Sequence, residues 1–139
     1  GLLHIASNKI GINCVEDLAT RYPNATFLIA HSCSDWKFAK LVAESILKYP
    51  NIMAEVTFTS VPNGIVEWLC RTAGAERVIF GTDASMRDPR PQLGWCIYTR
   101  LDIEDKKKVL AGNFAGILKK GKLPGHRLPE IVYKALAIR

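Results

Sequence analysis

The chain has 139 residues, 48% of them hydrophobic and 23% charged, a balance that fits a folded globular domain and excludes a disordered one. Nineteen Lys and Arg against thirteen Asp and Glu leave a formal net charge of +6, which permits anionic partners. No apolar run approaches the roughly 20 residues of a membrane-spanning helix, so no membrane partner is expected.

The opening Gly1-Leu-Leu-His4 carries neither a charged leader nor a methionine, and the expectation is a fragment or a processed product. Leu2, Leu3 and Ile5 form a short apolar run ending around His4. Asn13, with Glu16 three residues on, resembles a capping box, and Val15, Leu18, Ala19 and Tyr22 then follow helical spacing up to Pro23. The second run, 25–30, is almost wholly apolar and β-prone, as a strand of a parallel sheet needs, and it ends in His31. Ser34 or Asp35 can cap the next helix, with Trp36, Ala39, Ala43, Ile46 and Leu47 as its stripe.

The third run, 52–58, contains Glu55. Pro62 suits the first turn of the helix that follows, which buries Ile65, Val66, Leu69, Cys70 and Ala73 and stops at Gly74. The fourth run, 77–80, leads to Gly81-Thr-Asp83. A long loop over 84–94, with Pro89 and Pro91, comes next. Asp102 caps a last helix with Val109, Leu110, Phe114, Ile117 and Leu118 inward. Residues 119–139 read as a basic tail with a short helix near its end.

Four strand–helix units at this spacing predict a parallel α/β sheet with right-handed crossovers, either a small doubly wound domain or half of an eight-fold barrel. No Gly-x-Gly-x-x-Gly follows the first strand and no Walker-type loop is present, so nucleotide binding of those kinds is unsupported. The lysines at 106–108, 119, 120 and 122 read as solvated helix faces and tail, and no nucleic-acid-binding motif accompanies them. Cys14, Cys33, Cys70 and Cys96 form no Cys-x-x-Cys pair. Each adjoins an apolar segment, which points to reduced, buried thiols and a cytoplasmic setting.

In parallel α/β folds ligands bind at the carboxyl ends of the strands. His4, His31 and Asp83 close three of the four runs and are expected to converge there. Two imidazoles and a carboxylate suit a borderline divalent ion such as zinc, which can acidify a bound water or polarise a carbonyl. Each residue also has an ordinary reading: His4 as a surface residue, His31 as a satisfied core histidine, Asp83 as the cap of a turn. Glu55 is costly inside a strand unless paired, and reads as a group supporting the site from behind. Arg87 and Arg90 could grip a substrate carboxylate in bidentate fashion, or lie in solvent. Cys33 beside His31 also permits a Cys–His nucleophile, which nothing else supports.

Arg21-Tyr-Pro-Asn-Ala-Thr-Phe-Leu-Ile-Ala-His31 resembles the sixth-strand segment of amidohydrolase-related proteins. Gly74-Ala-Glu-Arg-Val-Ile-Phe-Gly-Thr-Asp83 resembles their eighth-strand segment, and 105–118, with Val109-Leu-Ala-Gly-Asn113, their closing helix. The resemblance is to the metal-dependent hydrolase superfamily, in the branch of aminocarboxymuconate-semialdehyde decarboxylase-like enzymes. It implies a parallel (β/α)4 half, strands five to eight, of a TIM-type (β/α)8 barrel over residues 1–118. It implies that His4 and Asp83 are metal ligands, and that His31 is the catalytic acid/base or a further ligand. Asp83 would also orient or deprotonate the metal-bound water. The activity implied is hydrolysis or non-oxidative decarboxylation of a small, carboxylated substrate.

The family's first-strand His-x-His is absent: the three histidines are His4, His31 and His126. The chain alone is therefore expected to be inactive, and to pair with a missing N-terminal half-barrel or with itself through its open sheet edges. The alternative is a non-catalytic α/β module that binds partners through those edges or the basic tail. A small flavodoxin-like domain is a third reading, and a sequential strand order would rule it out.

Overall fold

The computed structural model describes residues 9–57 and 60–120. The first apolar run with His4, and the tail beyond Lys120 with His126, lie outside the described residues. Helix α1 (Lys9–Arg21) is followed by β1 (Phe27–Ile29), α2 (Trp36–Lys48), β2 (Ile52–Val56) and α3 (Ile65–Ala73). A 3-10 turn (Ala75–Arg77) leads into β3 (Val78–Phe80), then α4 (Pro89–Ile97), α5 (Ile103–Lys107), a π-helical turn (Lys108–Gly112) and α6 (Asn113–Lys120). No helix among the described residues is long and apolar enough to cross a membrane.

The three strands are parallel and stand in sequential order β1-β2-β3. Phe27 pairs with Ile52 and Ile29 with Ala54; Ala54 pairs with Val78 and Val56 with Phe80. A flavodoxin-like order would insert the first run between β1 and β2, and their direct pairing rules that fold out.

Strand periodicity gives the sheet two different faces. Phe27, Ile29, Ile52, Ala54, Val56 and Val78 join the main core with Ile12 and Val15 of α1, Phe38, Val42 and Ile46 of α2, and Ile65 and Leu69 of α3. Each fully buried aliphatic or aromatic side chain contributes about 1.5–3 kcal/mol by leaving water. The intervening residues Leu28, Glu55 and Ile79 look the other way, onto a pocket.

Several local expectations are corrected. Asn13 caps nothing: α1 already runs through it, because burying Ile12 and Val15 outweighs a local capping preference. Glu16 instead accepts from Ser45 Oγ at 2.8 Å, joining α1 to α2. Asp35 is the cap of α2, accepting from Phe38 N at 2.8 Å. The stripe of α2 includes Phe38 and Val42, whereas Leu47 and Tyr22 are exposed. The stretch read as a loop over 84–94 contains the start of α4. Asp88 accepts from Arg90 N at 2.9 Å, and Pro89 takes the first helical position, where its missing N–H costs nothing. Asp102 does cap the last helical stretch, accepting from Asp105 N at 2.8 Å, but a π turn interrupts that stretch, and Phe114, expected inward, is half-exposed. Lys107 and Lys108 pair with Glu104 and Asp105 on the solvated face.

Candidate active site

His31 follows β1 and Asp83 lies three residues beyond β3. Their φ angles are 58° and 56°, and they are the only non-glycine residues with positive φ among the described ones. The left-handed region costs an L-residue about 1–2 kcal/mol, and such positions cluster at functional sites when the surroundings hold them there.

The end of β2 holds the His31 turn. The Glu55 carboxylate accepts from the backbone N–H of His31 at 3.3 Å, and the Glu55 carbonyl accepts from Ser32 N at 3.0 Å. Imidazole Nδ1 lies 2.6 Å from the Thr57 carbonyl. A carbonyl can only accept, so Nδ1 carries the proton and, in the neutral ring, the lone pair sits on Nε2. Ser32 Oγ donates to the Ile29 carbonyl at 2.6 Å and closes the turn below.

Asp83 is held by its own loop. Its carbonyl accepts from Met86 N at 2.9 Å and from Arg87 N at 3.1 Å, and its carboxylate pairs with Arg87 Nε at 3.2 Å. Both partners of that ion pair are about one-third exposed, at 33% and 34%.

Glu55 stands between the two turns. It is buried, 7% exposed, and accepts a short hydrogen bond from Thr57 Oγ1. Burial pushes its carboxyl up to about 7; the His31 and Thr57 backbone hydrogen bonds oppose this, and the Asp83 charge adds to it. Glu55 also abuts Gly81: a Cβ there would fall inside the Glu55 carboxylate and against Thr57 Oγ1.

His31, Glu55, Thr57, Asp83 and Arg87 line one open pocket of about 880 Å³, with Phe114 of α6 also on its wall. Among the expected residues, the structure thus brings His31, Asp83, Glu55 and Arg87 together. Arg90 does not line this pocket; it pairs with Asp88 at the surface. Cys33 faces the helical core and burial raises its thiol, so the Cys–His nucleophile has no structural support. Burial likewise pushes Cys70 and Cys96 up to about 12, while Cys14, expected to be buried, is exposed. The parts that sequence reasoning missed are Thr57 and Gly81. The period-two spacing of Glu55 and Thr57 was the available signal for the first.

A metal needs more donors than these. No group of three His, Cys, Asp or Glu side chains able to hold an ion occurs among the described residues. Asp83 and His31 offer a carboxylate and an imidazole, part of the set the resemblance implies, and His4 lies outside the described residues.

No family model and no curated protein matches the chain. Solved structures do. An uncharacterized TIM-barrel protein from Bordetella bronchiseptica superposes with a TM-score of 0.66 at 16% identity, over 81% of this chain and 41% of that one. An amidohydrolase 2 from Bifidobacterium longum subsp. infantis gives 0.61 at 14% identity, over 78% and 46%. A dihydroxybenzoic acid decarboxylase from a Polaromonas species, with bound manganese and the inhibitor 2-nitroresorcinol, gives 0.59 at 16% identity, over 79% and 39%. The described fold is thus that of part of a TIM barrel, and the solved structures it resembles include proteins of the superfamily that the sequence motifs resemble. The chain spans less than half the length of each of these three.

Proposed function

We propose that these residues form the C-terminal half of a metal-dependent amidohydrolase-type barrel that hydrolyses or non-oxidatively decarboxylates a small carboxylated substrate. The observation that carries this reading is the shared left-handed geometry of His31 and Asp83 on one pocket wall, at the carboxyl ends of parallel strands. The manganese-bound decarboxylase among the similar structures supports a divalent ion in the reading, with zinc the ion favoured by imidazole donors.

Asp83 and His4 would hold that ion, together with donors from the other half of the barrel. When bound, the ion supplies Lewis-acid polarisation of a substrate oxygen. His31 takes or returns the proton at Nε2, since Nδ1 is committed to Thr57. Arg87 sets the Asp83 carboxylate and presents a cation to a substrate carboxylate at the pocket wall. Phe114 offers an apolar surface to the body of the substrate. The other half-barrel, or a second copy of this chain, completes the sheet.

Elemental analysis of the complete gene product, purified without chelator, tests the reading. It predicts near-stoichiometric zinc or manganese in the wild type and loss of the ion in Asp83→Asn. A metal-free wild-type protein would contradict it.

A further inference from the structure

We propose that Glu55 is a positioning residue for His31: its buried carboxyl, seated against Gly81 and tied to Thr57, holds the His31 turn so that the imidazole is fixed as the Nδ1–H tautomer. The inference builds on the proposed acid/base role of His31, but its test reads the ring and not the reaction.

Three contacts from one strand end meet at His31. The Glu55 side chain takes the backbone N–H, the Glu55 carbonyl takes the next N–H, and the Thr57 carbonyl takes the ring. The first of these is the contact a side-chain substitution can remove. A histidine held at φ 58° needs such a partner, because the unstrained backbone would swing the ring away from Thr57. Thr57 Oγ1 fixes the carboxyl from one side through its hydrogen bond to Oε1. Gly81 fixes it from another, since it leaves space for the carboxyl that any Cβ would fill. Glu55 therefore touches both strand ends that lead to the proposed chemistry, and transmits the position of β3 to His31. A neutral histidine in water populates both tautomers with Nε2–H in the majority, so a pure Nδ1–H ring is a signature of this arrangement.

The test is long-range 1H–15N correlation of the imidazoles at a pH where His31 is neutral, in the metal-free chain. The wild type is expected to show His31 as the Nδ1–H tautomer alone. Glu55→Gln keeps an acceptor oxygen and should preserve that pattern. Glu55→Ala should shift His31 to a tautomer mixture. Gly81→Ala should do the same with the Glu55 side chain intact, because a flexible carboxyl yields to the new methyl, and this variant tests the inference even if Glu55→Ala fails to fold. A wild-type His31 in the Nε2–H form, or Glu55→Ala and Gly81→Ala spectra identical to wild type, would overturn it. A metal-free wild-type protein with the tautomer pattern intact would instead overturn the proposed function and leave this inference standing.

Discussion

His31 and Asp83 adopt nearly the same backbone conformation at the ends of two strands, yet they are held there by different means. The His31 turn is fixed across the sheet, by Glu55 and Thr57, which lie 24 and 26 residues away. The Asp83 turn is fixed from within, by Met86 and Arg87 in its own loop. The first brace is built on the buried Glu55 and Thr57 and ties two strand ends together. The second is partly solvated and is weakened by water and salt. Stability should therefore depend on the His31 side, and the Asp83 side should tolerate change at little folding cost while losing function.

The largest expected effect is on pH dependence. The folded Glu55 carboxyl is raised from 4.5 to about 7, so between those values the folded state binds more protons than the unfolded one. Its contribution is complete below pH 4.5 and is lost as pH rises through 7, a swing of about 3 kcal/mol. Urea unfolding of the metal-free chain from pH 4.5 to 8 measures it. The Glu55→Gln variant is the control, since it cannot titrate at this position and should lose the part of the slope that Glu55 supplies.

Next in size is Glu55→Ala, which strips two hydrogen-bonded donors of their acceptor at a buried site and should cost about 1–3 kcal/mol in the same assay at pH 5. Arg87→Gln should cost less than about 1 kcal/mol through its ion pair with Asp83, which is partly exposed. Asp83→Gly should be smaller still: the gain from placing glycine at φ 56° offsets the lost ion pair to within about 1 kcal/mol. An Asp83→Gly variant as destabilised as Glu55→Ala would erase the contrast between the two turns. At the bottom of the scale, thiol labelling of the folded chain should modify Cys14 rapidly and leave Cys33, Cys70 and Cys96 protected.

What the sequence showed follows the same division. Strand identity, parallel pairing and the polar strand ends were legible because runs such as 25–30 are apolar on both faces and close in His or Asp. Gly74 and Asp102 were legible as caps because their chemistry is local. The α4 helix was not, since Pro89 and Pro91 are turn residues until a cap at Asp88 makes the first of them a helix start. Asn13 misled for the opposite reason: a good local cap yielded to burial of Ile12. Glu55 stood out as a charge in a strand, but its clamp on His31 and its seat against Gly81 depend on register between strands, which no single segment encodes. The separation of Arg87 from Arg90 was equally hidden, because it depends on which face of the Asp88 turn each side chain leaves.

His31 and Asp83 are proposed to serve one cation-binding pocket. Titrating Mn2+ into the 15N-labelled chain and following paramagnetic broadening tests it at residue resolution. The described residues supply only part of a ligand set, so the position of the broadening matters and not its affinity. The amides of His31, Gly81, Thr82 and Asp83 are expected to broaden first, and Asp83→Asn is expected to abolish the effect. Broadening centred instead on the exposed acidic residues Asp88 or Glu104, with His31 and Asp83 unaffected, would contradict it.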